Sequence, residues 1–291
     1  MNAADLFAEY RPLLFTVAYE ITGSATDAED VLQESYLRVT EVDTDTVDNV
    51  RAYLAQVVTR QSLNLLRSAR RRREEYVGNW LPEPVRTGPD AAADVLLAES
   101  VSVAMLLVLE TLGPDERAVF VLREVFGFGY DEIAQSIGKN TAAARQIGHR
   151  AREHVRARRK RFDPPDAETE KITGKFLEVG LTGDVQGLMD LLAPDAVQLS
   201  DGGGKVSAAR VPVVGAERVA RFVAGLVRIG LPDMRVESTR LNAMPALLVY
   251  SAEVLDVAMM FEVTGGLITG LYMVRNPDKL TGLGRDVVLA R

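Results

Sequence analysis

The sequence predicts a multidomain protein in which two all-α domains precede an α+β domain. Apolar residues recur at helical spacing through residues 4–75 and again through 97–160. After Pro232 the pattern becomes the alternation typical of strands, as in residues 246–250 and 258–263. Because helices precede a run of consecutive strands in this last part, we expect an α+β architecture there.

The composition of the 291 residues excludes several classes of protein. The chain has no cysteine, so disulfides, thiol redox chemistry and cysteine-based zinc sites are excluded. No apolar run approaches the roughly 20 residues of a membrane helix, and the N-terminus lacks the features of a signal peptide. We therefore expect a cytoplasmic protein that has no membrane partner.

The charge balance is acidic, with a formal net charge of −7. Residues 1–162 alone carry 21 Lys and Arg against 24 Asp and Glu. Any affinity for nucleic acid must therefore come from local basic patches. The acidic excess indicates a second role, such as binding a basic protein partner.

The first block, about residues 1–75, should contain three helices. The break at Thr22-Gly23-Ser24 separates the first two, and Thr26 or Asp27 is the expected N-cap of the second. The third helix should run from Asn49 to Arg73 and end in a cluster of arginines. The second helix places acidic residues opposite an apolar face, which comprises Ala28, Val31, Leu32, Ser35 and Val39.

Residues 76–96 are the expected linker, because prolines and glycines there forbid a long helix. This segment nevertheless contains Trp80, the only Trp of the chain. A flexible spacer has no use for an exposed Trp, so we expect the linker to dock on another part of the protein.

The second block, about residues 97–162, contains a helix, a turn at Gly138 and a second helix rich in hydrogen-bond donors. A short helix that braces a donor-rich helix is a common way to present side chains to the DNA major groove. Helical spacing predicts a small core between the two helices, made of Ile133, Ala134, Ile137, Ala144, Ile147 and Ala151.

The third block, about residues 164–291, should contain helices at about 167–181, 184–192 and 215–229, followed by strands. Gly265-Gly266 is the expected turn of a hairpin. Residues 166–291 contain no histidine, so acid–base chemistry there would rest on other side chains. The candidates are Asp201, Asp256, Glu262 and Tyr272, but no pairing among them is visible, and we do not expect catalysis.

Three features resemble the extracytoplasmic-function sigma factors: the segment Asp27-Ala-Glu-Asp-Val-Leu-Gln-Glu34, the long helix that ends at Arg73, and the helix-turn-helix of the second block. Three motifs narrow the resemblance to the group with a fused SnoaL-like domain, which includes the mycobacterial sigma-J type. These motifs are Trp80-Leu-Pro-Glu-Pro84, Asp201-Gly-Gly-Gly-Lys205 and Asn276-Pro-Asp-Lys-Leu280.

The resemblance implies a bacterial RNA polymerase sigma factor that directs promoter-specific transcription initiation. Region 2 (about 1–75) would bind core RNA polymerase and the −10 element, and region 4 (about 97–162) would bind the −35 element of promoter DNA. The cone-shaped α+β SnoaL-like domain (about 164–291) would act as a built-in regulator. No cofactor, metal or enzymatic activity is expected.

The resemblance also implies roles for individual side chains. The candidates for contact with core polymerase are Asp27, Asp30, Gln33 and Glu34. The candidates for the −10 element are Arg60, Gln61, Asn64, Arg67 and Arg70. The candidates for the −35 element are Thr141, Arg145, Gln146, His149, Arg150, Arg152 and Arg156, of which Arg145 and Gln146 are assigned to base edges. The alternatives are a solvated acidic face for the first set, a solubilising helix end that complements the helix dipole for the run Arg70–Arg73, and phosphate contacts alone for the −35 set.

A further set would hold the SnoaL-like domain against the sigma core or the linker. It comprises Trp80, Leu81, Pro82, Asp201, Gly202, Gly203, Gly204, Lys205, Asn276, Asp278 and Lys279. The Gly-rich loop could instead cradle a phosphate, but it lacks the Walker spacing and no capped helix follows directly. Three glycines allow the backbone to approach another surface closely, which favours a contact loop.

Two other functions remain as alternatives. A conventional repressor or activator would use only the helix-turn-helix, and it would not need the long helix that ends at Arg73. A SnoaL-like cyclase or isomerase fused to a DNA-binding module would need acid–base groups, which the absence of histidine from the third block disfavours. The sequence leaves open any small-molecule ligand of the third domain, and whether that domain activates or inhibits.

Overall fold

The computed structural model describes residues 3–40, 47–158 and 167–291. These residues form two compact units. The first unit contains the described residues up to 74, then 105–158 and 288–291, and the second contains 75–104 and 167–287. We call residues 75–104 the linker segment. The expected fold class, two all-α domains followed by an α+β domain, is confirmed.

The first helical block consists of α1 (Ala3–Thr22), α2 (Ala25–Val39) and α3 (Val50–Glu74). The N-cap of α2 is Ser24, whose hydroxyl accepts the amide hydrogen of Asp27 over 3.1 Å. The expected caps, Thr26 and Asp27, are wrong because both residues already lie inside the helix. The buried face of α2 is the one that helical spacing predicts.

The linker segment contains two short helices, α4 (Pro89–Ala93) and α5 (Val95–Val101). The second helical block follows with α6 (Val103–Glu110), α7 (Pro114–Phe120), a π-helical turn at Val121–Val125, α8 (Tyr130–Ile137) and α9 (Thr141–Arg158). The helix-turn-helix is formed by α8 and α9. Gly138 ends α8 with φ of 68°, a left-handed conformation that glycine adopts without strain.

The predicted core of the helix-turn-helix is confirmed, because all six of its apolar residues are buried. Asn140 caps α9, since its side-chain oxygen accepts the amide hydrogen of Ala143 over 2.8 Å. The buried side chains of α8 and α9 face each other, and this fixes the outer face of α9 in solvent.

The two helical blocks pack against each other around Arg117, which is 1% exposed. Its Nε donates to the backbone oxygen of Glu20 in α1 over 2.8 Å, and its Nη1 lies 2.6 Å from the carboxylate of Glu110 in α6. A buried guanidinium requires such partners because an uncompensated buried charge is strongly destabilising.

The second unit places helices against a six-stranded mixed sheet. Besides α4 and α5 of the linker segment, its helices are α10 (Ala167–Thr182), α11 (Val185–Leu191), α12 (Ala216–Ile229) and α13 (Pro277–Leu280). The strands are β1 (Leu192–Asp201), β2 (Val213–Val214), β3 (Arg235–Leu241), β4 (Met244–Ser251), β5 (Val254–Thr264) and β6 (Leu267–Val274). The strand order is β2-β1-β6-β5-β4-β3, and β1 pairs parallel to β6 while the other neighbours are antiparallel.

Helices α10, α11 and α12 pack on one face of the sheet, where Phe176 of α10 meets Phe261 of β5 edge to face. The hairpin turn predicted at Gly265-Gly266 is confirmed, since both glycines have positive φ and Thr264 pairs with Leu267. Strand β1 was not expected from the sequence. It begins directly after α11 and contains Pro194, a residue that is disfavoured inside strands.

Candidate functional site

The outer face of α9 exposes Arg145, Gln146 and His149. Within the described part of the chain, the structure gives Arg145 and His149 no hydrogen bond or ion pair. Thr141, at the start of the helix, donates its hydroxyl to Asp131 over 2.6 Å. The three exposed side chains are therefore available to an external partner, whereas the Thr141 hydroxyl supports the helix-turn-helix itself.

The other basic candidates of α9 face acidic neighbours. The Arg150 and Arg152 guanidinium groups each lie 3.8 Å from a carboxylate, of Glu116 and Glu124 respectively. Arg156 pairs with Glu153 over 3.2 Å on the exposed surface. Exposed pairs of this kind contribute little to stability, so these side chains can exchange a carboxylate for a phosphate at small cost.

The candidates on α3 contact the second helical block. Arg60 donates to the backbone oxygen of Gln135 in α8 over 2.8 Å. Arg67 pairs with Asp115 of α7 over 2.9 Å. Nearby, Asn49 donates to Glu132 over 3.0 Å. In this arrangement, Arg60 and Arg67, two of the side chains expected to meet the −10 element, are already hydrogen-bonded within the protein.

The remaining α3 candidates differ in their surroundings. Asn64 is exposed, whereas Gln61 is half-buried beside Arg38. With the Gln61 amide turned so that its oxygen points toward Arg38, this oxygen accepts a hydrogen bond from the guanidinium over 2.7 Å. The side chain of Arg70 lies outside the described residues. Its proposed contact with DNA therefore remains a prediction.

The acidic candidates on α2 form an exposed face. Asp30, Gln33 and Glu34 are exposed, and Asp27 is half-buried near the N-terminus of the helix. Glu34 pairs with Arg38 one turn later over 2.8 Å. The buried face of α2 packs on α1 and α3, so Asp30, Gln33 and Glu34 on its opposite face are open to solvent.

Asp201 is the centre of a buried network between the linker segment and the sheet. It ends β1 and is 0% exposed. Its Oδ1 accepts the hydroxyl of Tyr76 over 2.6 Å and the amide of Gly203 over 3.0 Å. Its Oδ2 accepts the amide of Leu81 over 2.9 Å and lies 2.8 Å from Nζ of Lys279. Four donors therefore satisfy this carboxylate, and two of them come from the linker segment.

Lys279 completes the network from α13. Its Nζ also donates to the backbone oxygen of Leu81 over 2.5 Å and lies 4.5 Å from the centre of the Trp80 ring. A cation over an aromatic face is attracted by the ring quadrupole. The Lys279 ammonium thus contacts the linker segment at the half-buried Trp80 and the buried Leu81, and Pro82, which follows them, is buried as well.

Tyr76 has a perturbed phenol. Burial raises the pKa of the Tyr76 hydroxyl well above its ordinary value, and the hydrogen bond to the Asp201 carboxylate raises this pKa further. Asn276 donates its side-chain amide to the same hydroxyl over 2.9 Å. The phenol therefore stays protonated and remains a donor to Asp201.

The Gly-rich loop, residues 202–204, lies close to Asn276 and to Val77 of the linker segment. A Cβ at Gly203 would lie 2.5 Å from the Asn276 amide nitrogen, and a Cβ at Gly204 would lie 3.0 Å from Cβ of Val77 in the linker segment. Gly202 is equally crowded, by the backbone oxygen of Val206. Lys205 pairs with Asp278 over 2.5 Å. Any side chain at the three glycine positions would push the loop away from its neighbours.

Sequence analysis missed a second docking point, at Asn242 in the turn between β3 and β4. Its side chain accepts from the amide of Val85 over 3.1 Å and donates to the oxygen of Val101 over 2.8 Å. Arg86 adds an ion pair to Glu237 over 2.9 Å. An Asn between two strands is itself a turn signal, but its partners lie far away along the sequence.

The four candidate acid–base residues of the third block do not share a site. Glu262 accepts the hydroxyl of Tyr272 over 2.6 Å, and Asp256 pairs with Arg275 over 2.7 Å, whereas Asp201 binds the linker segment. Burial raises the pKa of the Tyr272 phenol, and the charge of Glu262 raises it further. Each carboxylate thus has a structural partner, as buried carboxylates often do.

None of the helices in residues 3–40, 47–158 and 167–291 is long and apolar enough to span a membrane. No group of three or more His, Asp or Glu side chains in the described ranges could hold a metal ion.

The two helical blocks, with a helix-turn-helix whose outer face is basic, define the class of DNA-binding transcription proteins. The family description "Sigma-70 region 2" matches residues 6–72, and "Sigma-70, region 4" matches residues 102–155. The ECF RNA polymerase sigma factor SigJ of Mycobacterium tuberculosis is 38% identical over 290 residues, which cover 95% of this chain and 92% of SigJ. The probable ECF RNA polymerase sigma factor SigI of the same species is 31% identical over 282 residues, which cover 96% of this chain and 94% of SigI.

The chain also resembles the crystal structure of M. tuberculosis SigJ, with a TM-score of 0.76, 33% identity, and coverage of 96% of this chain and 98% of that one. The chain belongs to the extracytoplasmic-function sigma factors, which direct promoter-specific transcription initiation. The first helical block is its region 2 and the second is its region 4. The α+β domain is the SnoaL-like domain.

Proposed function

We propose that this sigma factor binds core RNA polymerase through α2, reads promoter DNA through α3 and α9, and is regulated by capture of its own linker segment. As a partner of RNA polymerase it would act in the cytoplasm. The observation that carries the regulatory part is the buried carboxylate of Asp201, which two linker donors and two domain donors share. No catalytic role is proposed for the SnoaL-like domain.

The acidic face of α2 supports the polymerase contact. Asp30, Gln33 and Glu34 are exposed on a helix whose opposite face is buried. Charge complementarity governs the rate and specificity of such encounters. We expect Asp30→Arg to weaken binding to core RNA polymerase in a fluorescence titration, and Asp190→Arg, the same change at an exposed position of α11, to leave binding unchanged.

The exposed donors of α9 support the −35 contact. Arg145 and Gln146 lie side by side on its outer face, and these residue types read guanine and adenine in the major groove. Arg150, Arg152 and Arg156 are assigned to phosphates because their present ion pairs are weak: two span 3.8 Å, and the third lies on the exposed surface.

The contacts that α3 makes with the second helical block support the proposal that DNA binding is regulated. Arg60 and Arg67 are bound by the second helical block, so binding to the −10 element requires these contacts to break. Regions 2 and 4 are joined by the linker segment, which could reach roughly 100 Å if fully extended. Because Tyr76, Leu81 and Val85 are bound by the SnoaL-like domain, the free protein cannot use that reach. We propose that capture of the linker opposes opening, and that polymerase binding favours the released state.

Hydrogen exchange tests this proposal directly. The amide of Leu81 should be protected in the free protein, because it donates to a buried carboxylate. Core RNA polymerase should increase its exchange rate, while the amide of Phe261, inside the sheet, should keep its protection. Equal protection of Leu81 with and without polymerase would show that the linker stays docked during initiation, and the regulatory proposal would be wrong.

A further inference from the structure

A cavity of about 120 Å³ lies between the sheet and the helices of the SnoaL-like domain. Phe176 and Leu181 of α10, Val223 of α12, and Val249 and Met259 of the sheet contribute to its wall. All sixteen residues that line it are apolar or glycine. The cavity lies entirely within the second unit and does not include Asp201 or the linker segment.

The residues that line the cavity determine which kind of ligand it can bind. No lining side chain carries a charge or a hydrogen-bonding group, so an ion, a sugar or a phosphate would lose its water without compensation. An apolar molecule would instead leave water for a matching surface. An apolar cavity of about 150 Å³ binds benzene in another protein. The volume here therefore suits a molecule the size of one aromatic ring.

The cavity has a mouth and an adaptable wall. Leu181 and Met234 line it and are 48% and 43% exposed, so it opens to solvent beside them. Three methionines, Met234, Met259 and Met273, line it as well. Methionine side chains are unbranched and polarizable, and they adjust to irregular ligands at low cost.

We propose that this cavity binds an uncharged, apolar small molecule of about one aromatic ring. The inference does not depend on the proposed regulation by the linker, because binding can be measured without polymerase or DNA. The absence of titratable side chains from the wall makes the cavity a binding site rather than a catalytic one.

The test uses the full chain labelled with ¹³C at the methionine methyl groups, titrated with toluene. We expect saturable shifts of the Met234, Met259 and Met273 signals, and no shift of Met105 in the first unit. Benzoate has a similar size but carries a charge, and should cause no shift at the same concentrations. No saturable shift with toluene, or an equal response to benzoate, would overturn the proposal.

Matched variants locate the site. Val249→Phe should fill the cavity and weaken toluene binding at least tenfold. Val254→Phe makes the same change at a residue that is 70% exposed and does not line the cavity, and should bind as the wild type does. Met259→Phe is a second filling variant, in case Val249→Phe does not fold. If a folded filling variant binds toluene as tightly as Val254→Phe, the ligand lies elsewhere and the assignment is wrong.

Discussion

Replacing Asp201 with asparagine keeps the shape of the side chain but removes the negative charge that its donors share. The amide nitrogen replaces one carboxylate oxygen and cannot accept, so either the Tyr76 hydroxyl, now at 2.6 Å, or Lys279, now at 2.8 Å, loses its acceptor, and the other keeps only a neutral amide oxygen. Lys279, whose side chain is 12% exposed, would be left without its carboxylate.

The magnitude follows from burial. Breaking a buried ion pair by removing one partner costs about 3–5 kcal/mol, since the other charge stays desolvated. The Asp201→Asn variant should therefore release the linker segment more easily, with a release equilibrium shifted by roughly 10²-fold to a few thousandfold. The change acts on docking because two of the four donors, Tyr76 and the Leu81 amide, belong to the linker.

Trp80 provides the assay, since it is the only Trp of the chain and lies beside Lys279. Urea titration followed by Trp80 fluorescence should show release at a midpoint lower by about 1 M or more, because urea m-values are about 1–3 kcal/mol/M. Asp190→Asn, the same substitution at an exposed position of α11, should leave the midpoint unchanged. A midpoint for Asp201→Asn equal to that of the wild type would refute the assignment of Asp201 as the docking centre.

Three further predictions test other parts of the structure. Arg145→Ala should weaken binding to a −35 duplex by about 1–3 kcal/mol, measured by fluorescence anisotropy, and an equal loss on scrambled DNA would reassign Arg145 to a phosphate. Arg117→Leu should lower the free energy of unfolding by about 3–5 kcal/mol in a denaturant titration, because Glu110 loses its buried partner; a loss below 1 kcal/mol would contradict the role given to this pair. Tyr76 and Tyr272 have raised pKa values, so the folded state holds their protons above pH 10 more tightly than the unfolded state does. The free energy of unfolding should therefore fall as the pH rises above 10. Urea titrations at pH 9 and pH 11 should show a smaller fall for Tyr272→Phe than for the wild type. An unchanged pH dependence in this variant would show that Tyr272 does not contribute.

The helical half of the fold could be predicted because its signals are local. The spacing of Ile133, Ile137 and Ile147 marks buried helix faces, and Gly138 supplies the left-handed turn between them. The same reasoning failed at β1, where helix α11 passes into a strand without a turn signal and Pro194 disfavours the strand. Pairing of β1 with β6, more than 70 residues away, outweighs the local preference.

The candidate sites show the same limit. Exposure of Arg145 and Asp30 follows from helical periodicity, and the structure places both on the surface. The role of Asp201 as a buried acceptor does not follow from its neighbours in sequence, since the Tyr76 and Leu81 donors are 125 and 120 residues away. Arg60, likewise, binds α8 through a contact that no local pattern encodes.

Run-off transcription with core RNA polymerase, from a promoter that the protein is known to use, tests the central claim most directly. Wild-type chain, Asp201→Asn and Asp190→Asn would each be titrated against a fixed amount of polymerase. The account predicts a transcript from all three, with Asp201→Asn reaching half-maximal transcription at a concentration at least about tenfold lower than the wild type, because linker release no longer opposes binding. No transcript from any of them would contradict the function as a sigma factor, and identical curves for Asp201→Asn and wild type would contradict regulation through the linker.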